Sequence, residues 1–178
     1  MTAGGGLRLH RVTPADLEWL EFWMQPHQEW HRWDGPYFPK MSAEQVSGWI
    51  EDIRTGRNTV DRYVIGLEGR RVGSCTWRWE HRTDGWARCG LAVYDPAERG
   101  RGIGRATLVL LADLVFGETD AHRLDLGTWS GNHGMCGAAL AAGFVEEARF
   151  REARVVRGER HDSVYFGMLR TAWASRDA

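Results

Sequence analysis

The sequence predicts a single mixed α/β (α+β) domain with a mostly antiparallel central sheet flanked by helices. Three observations predict it. The 178 residues, 43% hydrophobic and 26% charged, suit one globular core and leave no room for a second catalytic domain. Apolar spacing switches between the helical and the strand period in a fixed order: strand, two helices, antiparallel strands, helix, strand, helix, two strands. Gly, Pro, Asp and Ser mark the switches, as turns and caps require.

After a frayed start over residues 1–6, Leu7, Leu9 and Val12 alternate across a short first strand. Thr13-Pro14 with Asp16 opens a helix to about Met24, Pro standing at its first position. Residues 25–40 are irregular, with aromatic and histidine side chains crowded between three prolines, so this segment packs down as a lid or lines a pocket. Ser42 and Gln45 form a capping box for a second helix that buries Val46, Trp49, Ile50 and Ile53. From Arg62 the period becomes two: Tyr63 to Leu67, a turn at Glu68-Gly69-Arg70, then Val72 to Trp79 make a hairpin, and Trp86 to Tyr94 a third strand. Asp95-Pro96 ends it, because proline cannot continue a central ladder. A helix from Arg105 to about Phe116 turns Leu108, Leu111, Ala112 and Val115 inward. Arg123 to Thr128 is a strand, Asn132 to Ala142 a small-residue helix closed by Gly143, and Phe144 to Val156 and Ser163 to Leu169 the last two strands. The domain therefore spans 7–173, with a polar tail at 174–178.

Lys and Arg number 23 against 24 Asp and Glu, and this near-neutral balance, with no basic helical stripe, argues against nucleic acid as a partner. No apolar stretch is long enough to span a membrane, and no apolar run follows the first six residues as a signal peptide would need. Cys75, Cys89 and Cys136 form neither a metal pair nor a disulfide framework, so reduced thiols and a cytoplasmic setting are expected. The histidines do not cluster with Asp, Glu or Cys at ligand spacing, and no metal is expected.

The chemistry is carried by the loop after the third strand. Arg99, Gly100, Arg101, Gly102, Ile103, Gly104 and Arg105 follow a proline-ended strand and enter a helix. Three glycines leave backbone N–H groups uncovered, and a helix N-terminus adds its dipole, which together make an anion site. The P-loop pattern is missing, and a dinucleotide fold would place such a loop near the start of a parallel unit.

Arg99-x-x-Gly102-x-Gly104 after Pro96 resembles the pyrophosphate motif of the GCN5-related N-acetyltransferase (GNAT) superfamily. Leu124-Asp125-Leu126, Asn132 and Gly143-Phe144 resemble its second segment. Asp162, Tyr165, Met168-Leu169 and Trp173 resemble the ending of the subgroup that acetylates ribosomal-protein N-termini (RimJ/RimL-like). The resemblance implies that the strand at Ala92, Val93 and Tyr94 splays from its neighbour and binds the pantetheine arm of acetyl-coenzyme A through its backbone. The amide of Tyr94 would then stand near the thioester. Arg99 to Arg105 would hold the pyrophosphate, and Asn132 would meet the pantetheine. It implies transfer of acetyl from acetyl-CoA to a primary amine, either a protein N-terminus or a small molecule, by direct attack. A nucleophilic Cys136 is the disfavoured route, and a homodimer through the last strand's edge and Trp173 is expected.

Two positions depart from the family pattern. Relatives often carry a glutamate where this chain has Arg88, and a tyrosine seven residues after the asparagine, where this chain has Ala139. Glu80 and His81, at the end of the adjacent strand, are therefore the candidate bases, with Tyr165 as a donor to the leaving thiolate. Trp30, His31, Trp33 and Asp34 are the candidate acceptor-binding residues, Asp34 and His31 being next in line as bases. The departures also motivate a rival reading, an acyl-CoA-binding sensor without turnover.

Overall fold

The computed structural model describes residues 2, 3 and 6–176. The expected fray at 1–6 and tail at 174–178 fall partly outside these, and Thr2–Ala3 forms a two-residue strand, β1, paired with the next. The chain continues through β2 (Leu7–Arg11), a short 3-10 turn, α1 (Leu17–Met24), a second 3-10 turn at Glu29–Arg32, α2 (Ala43–Arg54), β3 (Asp61–Leu67), β4 (Arg70–His81) and β5 (Trp86–Val93). It closes with α3 (Ile103–Glu118), β6 (Arg123–Trp129), α4 (His133–Ala141), β7 (Val145–Val156), β8 (Glu159–Leu169) and α5 (Arg170–Ala174).

The strands form one sheet in the order β1-β2-β3-β4-β5-β6-β8-β7. Every neighbouring pair is antiparallel except β5 and β6, which are parallel. Side chains alternate across a strand, so Cys89 and Ala92 of β5 fall on opposite faces. Cys89 joins the larger apolar cluster, built on α3 through Leu108, Leu111, Ala112 and Val115. Ala92 and Tyr94 join the smaller one, with Leu17, Leu20, Trp30 and Ile50 from the α1–α2 side.

Local chemistry sets the element ends. Ser42 Oγ accepts from the Gln45 N–H while Gln45 Oε1 accepts from the Ser42 N–H, the reciprocal box expected for α2. Arg157 and Gly158 both have positive φ, which suits the two-residue turn that joins β7 to β8. α3 begins at Ile103, two residues earlier than its periodicity suggests, because Gly102 adopts φ 79 and caps it.

Two expectations about the C-terminal end are corrected. The free edge of the sheet is β7, since β8 lies between β6 and β7. Trp173 is used internally on α5: its indole packs on Phe116 and its Nε1–H donates to Asp113 at 2.8 Å. The five residues of α5 are too few for a periodic signal.

Arg170, the first residue of α5, closes the end of α3. Its guanidinium donates to the carbonyls of Phe116, Thr119 and Ala121 at 2.6–2.7 Å, satisfying acceptors that the helix end leaves open. Arg170→Ala strips all three at once and is expected to cost roughly 2–3 kcal/mol, measured as the shift of the urea unfolding midpoint.

Candidate active site

β5 keeps its ladder with β4 along its whole length but pairs with β6 only at Trp86, Ala87 and Arg88, opposite Arg123, Leu124 and Asp125. Beyond Arg88 the two parallel strands part. A cavity of about 440 Å³ occupies the fork, lined there by Cys89 to Val93 on one strand and Leu126 to Thr128 on the other. The expected splayed strand is present.

Its open groups are not those the sequence suggested. The Tyr94 N–H donates to the Val72 carbonyl on the β4 side, at 3.0 Å. Main-chain polarity alternates along an antiparallel strand, so Ala92 also turns to β4, opposite Ser74, while Leu91 and Val93 turn theirs to the gap. Tyr94 is a core residue: buried, with its hydroxyl 2.6 Å from Ser74 Oγ and its ring against Trp19, Trp23 and Trp30. Burial pushes its phenol up to about 12.

The loop after β5 leaves its backbone N–H groups uncovered. Gly100 and Gly102 have φ 74 and 79, and a Cβ at either would meet open space. The first helical bond of α3 runs from the Ala106 N–H to the Gly102 carbonyl. Among the described residues, the six N–H groups from Gly100 to Arg105 find no acceptor. Consecutive free N–H groups at a helix N-terminus constitute an anion site.

The arginines contribute less than expected. Arg99 folds back, its Nε–H and Nη2–H donating to the carbonyls of Val93 and Tyr94 and its Nη1–H to Glu29. Arg101 pairs with Glu98, and the Arg105 Nε–H donates to the Ala141 carbonyl. These side chains are committed to partners that shape the loop. Ile103 is buried in the core and offers only its N–H.

Asn132 lines the cavity but already has partners. Its Oδ1 accepts from the Met135 N–H as the cap of α4, and its Nδ2–H donates to the Trp33 carbonyl at 3.1 Å. It staples the aromatic loop to α4.

That loop forms the opposite wall. Trp30, His31, Trp33 and Asp34 all line the cavity, with Tyr37, Phe38 and Lys40. Trp30 is buried and anchored by its Nε1–H to the Trp23 carbonyl at 2.6 Å. His31 Nε2 lies 3.1–3.3 Å from the carbonyls of Gln25 and Met24, which fixes it as the protonated nitrogen and leaves Nδ1 as the acceptor. Burial holds this imidazole below its ordinary 6.5, so it is neutral at pH 7.

Asp34 is exposed by surface area yet enclosed by protein mass, because it lines a cavity rather than the outer surface. Among the described residues its carboxylate has no hydrogen-bond or ion-pair partner. Enclosure pushes its pKa above the ordinary 3.8, against the opposing pull of His31 and Arg62.

Glu80 and His81 do not reach the cavity. Glu80 is bound by Arg88 at 2.9 Å and Arg78 at 3.3 Å. His81 pairs with Asp84 at 2.9 Å on the exposed hairpin end. Register carries the end of β4 past the fork, to the side where β5 and β6 are still paired. Tyr165 lies behind the cavity wall, its ring against Gly127 and 5.5 Å from the Arg88 guanidinium. Ala139 is fully buried and Cys136 half-buried, and burial raises the Cys136 thiol, opposite to what a nucleophile needs. Among the described residues there is no group of three or more His, Cys, Asp or Glu side chains suited to a metal ion, and no helix is long and apolar enough to cross a membrane.

Comparison with known proteins places this geometry. Residues 6–145 match the family described as acetyltransferase (GNAT) domain. The YdaF protein of Bacillus subtilis (strain 168), a provisional ribosomal N-acetyltransferase by name, is 31% identical over 74 residues. That match spans 42% of this chain and 40% of YdaF, about two fifths of the curated relative. Among solved structures, a spermidine N-acetyltransferase from Vibrio cholerae, in complex with CoA and spermine, superposes with a TM-score of 0.80 at 16% identity, covering 96% of this chain and 99% of that one. The aminoglycoside acetyltransferase AAC(6')-Ib in complex with coenzyme A gives 0.77 at 18% identity, covering 97% and 99%. At such identities these likenesses show a shared fold.

Proposed function

The chain belongs to the acetyltransferase (GNAT) domain family, and from that premise we propose that it transfers an acetyl group from acetyl-CoA to a primary amine by direct attack in a ternary complex. The observation that carries this reading is the continuity of three features. The unpaired β5 edge and the Asp34 wall border one cavity, and that cavity reaches the loop of free N–H groups at Arg99 and Gly104.

The residues present fit the donor. Six acceptor-free N–H groups with open space at Gly100 and Gly102 suit a pyrophosphate, and the gap-facing main chain of Leu91 with the N–H of Val93, whose carbonyl is taken by Arg99, suits the amides of an extended arm. Acetyl-CoA supplies a thioester that is already activated. The chain's own groups align an amine beside it and take one proton.

Asp34 is the group that takes it. An ammonium entering the cavity meets aromatic lining at Trp33 and Tyr37 and one carboxylate, Asp34. A raised pKa makes that carboxylate a better proton acceptor than an ordinary aspartate. The apolar walls Leu91, Leu126 and Met135 limit the water that would hydrolyse the donor.

The acceptor class is a primary amine on a small molecule or a protein N-terminus. A small cationic amine is supported by the enclosed aromatic and carboxylate wall, and a ribosomal-type N-terminus by the partial likeness to YdaF. A cytoplasmic setting is part of the proposal and is supported by three free cysteines. So is a homodimer, its interface moved to the β7 edge, where Val145, Phe150 and Val155 are exposed. Gel filtration tests that part.

Titration calorimetry with acetyl-CoA, followed by thiol release over a panel of polyamines, aminoglycosides and short peptides, tests the whole. Saturable one-site binding and amine-dependent thiol release are expected. Binding without release from any amine would favour the sensor reading, and no binding would overturn both.

A further inference from the structure

The position where relatives often carry a glutamate holds Arg88, and its surroundings show what it does here. Arg88 and Asp125 are the last register partners of β5 and β6 before the strands part. Their side chains make a two-point bond: the Arg88 Nε–H donates to Asp125 Oδ1 at 2.7 Å and its Nη2–H to Oδ2 at 3.0 Å. Asp125 is buried, and its Oδ2 also accepts from Trp86 Nε1 at 2.8 Å, with Arg123 at 3.8 Å. The remaining side of Arg88 is closed by Glu80 at 2.9 Å, with Trp86 and Tyr165 rings 5.4 and 5.5 Å from the guanidinium carbon. A guanidinium so occupied has no lone pair to act as a base and little free donor capacity for a ligand.

We infer that Arg88 and Asp125 are a brace that keeps β5 and β6 paired and in register up to the point where they separate, and so fixes the position of the main-chain edge at Leu91 and Val93 that receives the donor's arm. Nothing in the backbone alone stops the last pair of two parallel strands from slipping in register or fraying. A planar, bidentate bond between the final partners resists both, because either movement breaks two charge-assisted hydrogen bonds at once. A lysine could not replace it, since an ammonium is a point charge without the fork geometry. Arg88 acts through the strand it holds and is a positioning residue. The inference rests on the acyl-donor reading of the groove.

The test is hydrogen exchange resolved by residue, paired with donor affinity. In the wild-type protein without ligand, the Leu91 and Val93 amides are expected to exchange rapidly and to slow when acetyl-CoA is added. In Arg88→Lys and in the near-isosteric Asp125→Asn, amides at Ala87 and at position 125, which face each other's strand, should lose protection while those of α3 keep theirs. Donor affinity and the KM for acetyl-CoA should worsen about tenfold, with kcat changed less than the KM. Protected Leu91 and Val93 amides in the ligand-free wild type would overturn the brace whatever the variants do. So would a folded variant that binds acetyl-CoA as the wild type does. A wild type with rapid exchange at both amides but no response to acetyl-CoA would instead remove the acyl-donor reading.

Discussion

Asp34→Asn is expected to lower kcat by about 10²- to 10⁴-fold, the range a positioned general base contributes, while calorimetric affinity for acetyl-CoA stays within about twofold. The two halves separate because Asp34 stands on the acceptor wall and the donor's cradle is backbone at Gly100 to Arg105. The pH profile sharpens the test. A base must be deprotonated to work, so the acidic limb of kcat/KM should fall above the ordinary carboxylate range, in the raised direction that enclosure imposes. The asparagine variant should lose that limb. A stability effect of opposite sign accompanies it. A carboxyl whose folded pKa is raised favours the folded state least above that pKa, so stability falls as pH climbs from 3.8 through the folded value. Removing the charge should therefore raise Tm at pH 7 and leave it unchanged at low pH. An Asp34→Asn protein with wild-type kcat would remove Asp34 from the mechanism.

Gly102→Val addresses the loop beyond the cavity's Gly104 end and should weaken acetyl-CoA binding by about 10- to 100-fold, the worth of one or two charge-assisted hydrogen bonds. Gly102 caps α3 at φ 79, a conformation that costs a side-chain-bearing residue about 1–2 kcal/mol. Space is not the obstacle, since nothing lies within 4 Å of the added Cβ. Rotation of the backbone to relieve the strain would re-aim the N–H groups that make the cradle. Calorimetry of the variant measures the loss, and circular dichroism confirms that α3 persists. Unchanged affinity would show that the phosphates are held elsewhere.

Much of this was legible before any coordinates. The 3.6 and 2 periodicities located every element of five residues or more except α5, because burying a stripe or a face leaves its period in the chain. The glycines at 100 and 102 and the proline at 96 marked the loop, since Gly100 and Gly102 hold the positive φ that favours glycine and Pro96 ends the strand. The crowding of Trp30, His31, Trp33 and Asp34 in a loop marked the wall that lines the cavity. These are local signals, carried by residues close in the chain.

Pairwise matters were not local. Whether a backbone N–H is free depends on which strand lies opposite, so Leu91 and Val93 rather than Tyr94 face the gap only because Tyr94 meets Val72. Whether a charge is available depends on its partner: Arg99 is occupied by Glu29, Glu80 by Arg88, and Asp34 by no described residue. The sequence by itself determined the family, the order of elements and the glycine loop with its uncovered N–H groups, for these follow from short-range geometry. Only the tertiary structure decided which strand edge opens, which carboxylate stands in the cavity and which arginine braces the fork, because each is set by residues tens of positions apart brought into hydrogen-bond range.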